Sequence, residues 1–478
     1  MFEDLLEFAV DYARRLGAEY AEARFQRDLT ESVILKNGFP EVSARSVSRG
    51  IGVRVLVKGS LGFSSTSNLT RESIRKIVRA AVSIAKASSK LGGKISMSEE
   101  KSSKARVEVK PRIRFDAVDV DAKIDFLKEI DGCAVETCGR LGVKLPSRLF
   151  ELNRWDTEKH LITSDGTDEY HKIPRVMAEY LITAHSPQHG TIQRFEELGE
   201  SRGWEAIEAW KLPERLEHEA EAISKVLLEG VEPPKDVVDV VVGSEIVGLA
   251  CHESAGHPGE ADRVLGREAA QGGESYIEPK LLGTRIGSEV VTVVDDPTLK
   301  NSFGYYLYDD EGVEARERKL IENGVLKELL HNRETAAIFQ VESNGSARAD
   351  SYDAEPIIRM ANTYMKPGDY SLEELIEDVK DGVYIKSYQE WNIDDRRWNQ
   401  RYVGVEAYRI RNGEICEPVR NPVLELTTKG FYSSIDAVGK DLKFSAGYCG
   451  KGDPLQSIPV WFGGPSVRIR GIRLGARR

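Results

Sequence analysis

The amino-acid sequence predicts a multi-domain α+β protein: an N-terminal α+β domain with hairpins, a central α+β domain, and a large β-rich C-terminal domain carrying a metal-binding helix. Three observations predict it. The chain has 478 residues, too many for one core and enough for roughly three. Its first half switches repeatedly between helical and strand periodicity. Residues 231–478 are mostly short β-prone runs, punctuated by Asn-Gly pairs that suit hairpin turns.

The first domain is expected over residues 1–110. Phe2, Leu5, Leu6, Ala9, Val10 and Ala13 recur at helical spacing over 2–16. Ser32-Val33-Ile34-Leu35 then leads into Lys36-Asn37-Gly38, where two residues tolerant of positive φ predict a hairpin. Gly50 to Val57 and Leu61 to Phe63 continue the sheet, and Thr70 caps a helix running to about Ala87. Residues 91–114, rich in Gly, Ser, Lys and Glu, read as an exposed connector.

The central domain, 111–230, opens with a helix at about 121–141, followed by polar alternating strands through Ile182 and an acidic helix at about 213–229. It carries no signature chemistry. Val231-Glu232-Pro233-Pro234 marks the boundary to the third domain, 231–478. There Asn323-Gly324 and Asn412-Gly413 predict two more hairpins, and Ser371-Leu372-Glu373-Glu374 is a capping box. No repeat of ~20–50 residues is visible, which excludes a solenoid or propeller.

Composition narrows the function classes. Hydrophobic residues make up 40% and charged residues 30%, as in globular proteins. No apolar run approaches the ~20 residues that span a bilayer. The start, Met1-Phe2-Glu3-Asp4-Leu5-Leu6, is acidic and amphipathic, unlike a secretory signal. The expected compartment is the cytoplasm, with no membrane partner. A net charge of −11 argues against nucleic acid, which needs a basic footprint. Arg468, Arg470, Arg473, Arg477 and Arg478 alternate with Val467, Ile469, Ile472 and Leu474, the pattern of a half-buried strand. Five cysteines make no disulfide framework. Cys133, Cys138 and Cys251 sit in helical or apolar contexts as small buried hydrophobes, and a reducing compartment follows.

The informative stretch begins at Val237–Val242, a strand apolar apart from Asp239, which turns at Gly243-Ser244-Glu245 into a helix with Ser244 as its expected cap. Ile246, Val247, Leu249, Ala250 and Cys251 make the helix apolar nearly all round, and into it the sequence sets His252-Glu253-Ser254-Ala255-Gly256-His257. Buried imidazoles and a carboxylate are costly unless partnered, and zinc is one such partner. The familiar His-Glu-x-x-His helix spaces its histidines by four. A spacing of five rotates the second imidazole by about 140° at ~100° per residue. The sequence therefore predicts a distorted helix over Ser254 to His257, either a π-type turn or an end at Gly256 and Pro258-Gly259. A catalytic zinc takes three protein ligands. The third candidate is Glu260, in a stretch that reads as a solvated loop, or Cys449, in the glycine-rich Ser445-Ala446-Gly447-Tyr448-Cys449-Gly450-Lys451-Gly452. Spacing alone leaves both open.

His252-Glu253-Ser254-Ala255-Gly256-His257 followed by Gly259-Glu260 resembles the HExxxH motif of the TldD/PmbA family of zinc metallopeptidases. Val294-Asp295-Asp296-Pro297, Tyr308-Asp309-Asp310-Glu311-Gly312-Val313, Leu320-Ile321-Glu322-Asn323-Gly324-Val325-Leu326, Asn344-Gly345-Ser346-Ala347-Arg348 and Arg359-Met360-Ala361-Asn362-Thr363-Tyr364-Met365 are similar to family landmarks in the same order. Gly50-Ile51-Gly52-Val53-Arg54 and Cys449-Gly450-Lys451 extend the likeness over most of the chain, the central unit least. The resemblance implies zinc ligands His252, His257 and Cys449, in preference to Glu260, with Glu253 as catalytic acid/base. It implies the metal-bearing TldD-type subunit of a dimer, paired with a TldE/PmbA-like subunit or a second copy. It also implies peptide substrates, namely leader peptides and unstructured polypeptides, which a β-rich domain can hold by strand addition.

Two rivals remain at this stage: a peptide-binding or regulatory subunit with a structural zinc, in line with an older description of the family as gyrase modulators, and a hydrolase of non-peptide bonds. No GxSxG elbow, P-loop or GxGxxG appears, which weakens covalent hydrolase, nucleotide and redox readings. Trp391, Arg396, Arg397 and Trp398 fit a peptide groove or interface and equally a loop packed on its own domain. Tyr448 is expected to pack, with oxyanion donation as the alternative. His160, His171, His185, His189, His218 and His331 lack ligand spacing.

Overall fold

The computed structural model describes residues 3–268 and 274–476, so Phe2, Arg477 and Arg478 lie outside the described residues. Helix α1 (Glu3–Arg15) buries the stripe Leu6, Ala9, Val10 and Ala13, the spacing of one helical face. Helix α2 (Arg71–Ser88) starts where Thr70 Oγ1 accepts a hydrogen bond from the Ser73 backbone at 3.3 Å. Both pack on strands β1 (Tyr20–Lys36), β2 (Phe39–Val57) and β3 (Ser60–Thr66). Asn37 and Gly38 both adopt positive φ at the β1–β2 turn, as a two-residue hairpin loop requires.

The sheet does not end with the first unit. Strand β1 pairs on its other side with β5 (Lys144–Thr163), which pairs with β6 (Asp168–Ser186). The far edge of β6 carries the short parallel β4 (Lys104–Glu108) and the antiparallel β7 (Gly190–Glu200). The expected first and second units therefore share one seven-stranded sheet in the order β3-β2-β1-β5-β6-β4, with β7 also on β6. Its cores stay separate. Phe25, on β1, joins the cluster beneath α1 and α2, whereas Val33 and Leu35, further along the same strand, join the cluster under α3 (Val120–Arg140) and α5 (Leu212–Glu229). A short helix α4 (Trp204–Ala209) closes that second core.

The C-terminal part builds two six-stranded sheets around the largest core. One runs Glu414–Pro418, Ala407–Arg411, Asp381–Ile385, β8 (Val237–Val242), Val467–Arg473 and Ile435–Val438. The other runs Val325–Leu326, Arg318–Glu322, Val293–Asp295, Asn362–Met365, Gln456–Gly464 and Lys443–Lys451. A four-stranded sheet adds the hairpin Tyr388–Ile393 and Asn399–Gly404. Asn323-Gly324 and Asn412-Gly413 make the predicted turns, with positive φ at all four residues. The arginine-bearing strand is half-buried, its Arg468 and Arg470 paired to Asp436. Among the described residues no helix is long and apolar enough to cross a membrane.

Candidate metal centre

Strand β8 delivers the chain directly into helix α6 (Ser244–Cys251), in which Ile246 to Cys251 are all buried. The cap differs from expectation. Gly243 stands at the N-cap with no side-chain bond, and Ser244, one residue on, donates its hydroxyl to the Gly464 carbonyl at 2.6 Å. Ser244 thus ties α6 to the second sheet, against which the helix packs closely: a Cβ on Gly248 would lie 2.7 Å from the Gly463 backbone.

At His252 the helix widens into one π-helical turn, His252–Gly256, followed by a tight turn His257–Gly259. This is the distortion that the five-residue spacing requires. Ser254 Oγ donates to the Ala250 carbonyl at 2.6 Å, and Tyr276 donates its hydroxyl to the Ser254 carbonyl at 3.0 Å, which holds the widened backbone. A Cβ at Gly256 would sit 1.9 Å from Met360 Sδ, so glycine is needed there. The result brings the imidazoles of His252 and His257 to 5.0 Å between ring centres.

Cys449 arrives from the strand Lys443–Lys451. Its Sγ lies 3.4 Å from His257 Nε2, and donor atoms of His252, His257 and Cys449 all fall within 4.8 Å of one another. A tetrahedral zinc with Zn–N near 2.0 Å and Zn–S near 2.3 Å separates its donors by about 3.5 Å, so the set fits such an ion. Nδ1 of buried His252 has no hydrogen-bond partner among the described residues, and mixed imidazole–thiolate donors suit zinc.

The surroundings are charged and paired. Glu260, expected as a solvated loop residue, is fully buried and accepts from His257 Nδ1 at 3.1 Å. That bond fixes the ring and turns Nε2 toward Cys449, the support given to metal-binding histidines. Lys451 Nζ lies 3.4 Å from Glu260 and 2.8 Å from both Asp262 oxygens. Lys451 is two residues from Cys449, hence on the same face of the strand, a signal the sequence already held. Burial opposes charge on His257, but the Cys449 thiolate and Glu260 raise it to about 9. Burial likewise opposes ionisation of Cys449, yet His257 and His252 hold its thiol well below the usual range. Lys451 and His257 overcome burial to depress Glu260. The backbone carbonyl of Cys449 accepts from buried Arg359, which also donates to the Gln456 carbonyl at 2.9 Å.

Glu253 lines a cavity of about 470 Å³ together with the three donor residues, Trp391 and Tyr448. Arg397 Nη1 donates to Glu253 Oε2, both side chains being buried. Arg397 sits in the loop of the hairpin Tyr388–Ile393 and Asn399–Gly404, at φ 62°. Trp398, beside it, packs 5.3 Å from Tyr276, so the two tryptophans divide between core and cavity. Tyr448 packs 4.8 Å from Trp155 and 5.5 Å from Phe303. His171 and His331 are buried and their basicity falls to about 4 through burial.

Comparison with known proteins gives the family. Models of the PmbA/TldA metallopeptidase match in three parts: domain 1 over residues 21–85, the central domain over 113–228 and the C-terminal domain over 235–476. A metalloprotease of Methanocaldococcus jannaschii is 34% identical over 94% of this chain and 96% of its own length. A zinc metalloprotease TldD homolog of Saccharolobus solfataricus is 30% identical over 97% and 98%. The solved structure of TldE from Thermococcus kodakarensis shares the fold at 16% identity, with a TM-score of 0.75 over 99% of this chain and 100% of that one. With 94–97% of its length matched by relatives named as metalloproteases and the three family domains in order, the chain belongs to the TldD/PmbA family of metallopeptidases.

Proposed function

We propose that the protein is a zinc-dependent peptidase of the HExxxH type, acting on unfolded or flexible peptides. The observation that carries this reading is the convergence of His252, His257 and Cys449 within 4.8 Å, on a cavity that Glu253 also lines. His252, His257 and Cys449 hold the ion. When bound, zinc acidifies a coordinated water and polarises the scissile carbonyl. Glu253 accepts the proton of the attacking water and passes it to the leaving amine, as general base then acid. Arg397 occupies Oε2 of Glu253, which leaves Oε1 to carry that proton. The cluster holds three donors among the described residues, and Glu260 is engaged by His257 and Lys451. A structural site takes four protein ligands, so this arrangement favours catalysis over a peptide-binding subunit with a structural zinc.

The strand Lys443–Lys451 stands at the edge of its sheet. A peptide adding to that edge runs beside Cys449 and is read through its backbone, which suits leader peptides and unstructured chains. We assign three units, 1–110, 111–230 and 231–478, pairing with a TldE/PmbA-like subunit or a second copy, in the cytoplasm, where the five free cysteines are stable.

The test is metal content and casein or peptide cleavage for the wild type beside Glu253→Gln, with and without a TldE-like partner. The expected variant keeps zinc and loses about 10²- to 10⁴-fold in kcat, the share of a general base. Cleavage at the wild-type rate by Glu253→Gln would refute the assignment.

A further inference from the structure

A second cavity, of about 280 Å³, lies between the seven-stranded sheet and the C-terminal part. Tyr448 lines both this cavity and the one that holds Glu253, so the two share that side chain in their walls. Two arginines stand in its wall, beside Lys159 and four aspartates. Arg175, on β6, is 6% exposed and donates to the carbonyls of Phe303 at 2.7 Å and Tyr305 at 3.0 Å. Arg348 is 7% exposed and donates to the carbonyls of Met360 at 2.7 Å and Pro459 at 3.0 Å. Both bind neutral acceptors, and among the described residues neither forms an ion pair.

The aspartates of that wall are Asp28, Asp309, Asp310 and Asp350. Asp28 and Asp310 favour the charge of Arg175 through space, and Asp310 that of Arg348, but among the described residues none reaches ion-pair distance of either arginine. Asp350 accepts from Ser351 Oγ and from the Ser457 backbone, each at 3.1 Å. Asp310 is paired with Lys159 Nζ at 2.7 Å. Asp309 accepts from the backbone of Glu311, Val313 and Ala347 at 2.9 Å each. Asp28 accepts from Thr157 Oγ1 at 2.7 Å and Gln26 Nε2 at 2.8 Å. Burial, with the Arg348 charge beside it, pulls Arg175 down to about 10, and burial lowers Arg348 too. Two desolvated guanidiniums with no anion at ion-pair distance among the described residues are costly to hold. They also form the donor set that binds a carboxylate through charge-assisted, often bidentate hydrogen bonds.

We propose that this cavity is a carboxylate subsite of the peptidase, in which Arg175 and Arg348 bind a substrate carboxylate across Tyr448 from the cleavage site. The proposal rests on the peptidase reading. The carboxylate comes either from the C-terminus of the peptide or from an Asp or Glu side chain, and the experiment separates these sources.

Three matched peptides serve: one with a free C-terminal carboxylate, its C-terminal amide, and the amide with one internal glutamate. The wild type is expected to cleave at least one carboxylate-bearing peptide about 10- to 100-fold faster in kcat/KM than the neutral amide, the range for charge-assisted bonds. Which peptide gains identifies the source. In Arg175→Lys and Arg348→Gln the ratio is expected to fall toward one. Equal cleavage of all three peptides by a Glu253-dependent wild type overturns the subsite, as does a ratio that survives in both variants. Loss of Glu253 dependence instead refutes the peptidase reading. Should either variant fail to fold, calorimetric titration of Glu253→Gln protein with the acid and amide peptides decides: tighter binding of an acid supports the subsite, and equal affinity overturns it.

Discussion

Around His257 and around Arg175 the protein buries charge in opposite ways. Near His257, Glu260 meets His257 and Lys451, and Lys451 also meets Asp262, so each ion has a counter-ion at contact distance. Near Arg175 the acids are satisfied by donors while two guanidiniums rest on carbonyls. The first group is complete within the chain and serves to hold a ring and a strand in place. The second leaves two guanidiniums with no anion at ion-pair distance among the described residues, the place we assign to a substrate carboxylate. A balanced buried cluster marks scaffolding, and an unbalanced one marks where a ligand belongs.

That contrast predicts unequal mutational costs. Lys451→Met leaves the Glu260 and Asp262 carboxylates buried without their shared cation. Breaking a buried pair costs about 3–5 kcal/mol, so urea unfolding should show a loss of that order, with weakened metal retention. A loss below about 1 kcal/mol would mean the cluster is not balanced through Lys451. Arg348→Met removes a cation with no anionic partner. Only the Met360 and Pro459 carbonyls lose a donor, and the loss should stay near 1–3 kcal/mol. A cost equal to that of Lys451→Met would erase the distinction.

The smallest effect tests the mirror case, anions without a cation. Glu151, Glu179 and Glu197 stand directly opposite one another across β5, β6 and β7, an arrangement that like charges destabilise. Burial, then Glu151, raises Glu179 to about 7, and burial, then Glu179, raises Glu197 to about 8. A folded pKa above the unfolded value of about 4.3 gives stability that is complete below that value. It is lost as pH rises through 7 to 8. Glu179→Gln should therefore raise Tm at pH 8.5 by roughly 2 °C, a gain that shrinks toward pH 5. A lower Tm at pH 8.5 would show that the ladder is compensated in the folded chain.

Much of the fold was legible because its signals are local. The three Asn-Gly pairs at 37–38, 323–324 and 412–413 make their hairpins, Thr70 caps α2, and Ser371 with Glu374 closes the capping box. A distortion of the helix over Ser254 to His257 was legible too, since a five-residue spacing cannot converge two imidazoles on a regular helix, though the sequence left a π turn and a helix end equally open. What escaped depends on partners far along the chain. Glu260 reads as a solvated loop carboxylate until Lys451 arrives, and Ser244 reads as a cap until Gly464 competes for its hydroxyl. The ion pair between Arg397 and Glu253 spans 144 positions. Nothing near Lys36 announces that β1 will pair with β5 as well as β2.

Those long separations have a consequence for how the protein is made. Cys449 follows His257 by 192 positions, and the strand Val467–Arg473, which flanks β8 just before α6, is later still. A nascent chain that has emerged through His257 owns both imidazoles and the glutamate but neither the thiolate nor the strand Val467–Arg473 beside β8. The proposed metal centre is thus assembled only after Cys449 and the strand Val467–Arg473 have been translated. On the proposed reading, in which unfolded polypeptides are the substrates, the order of the sequence spares its partly built copies from one another.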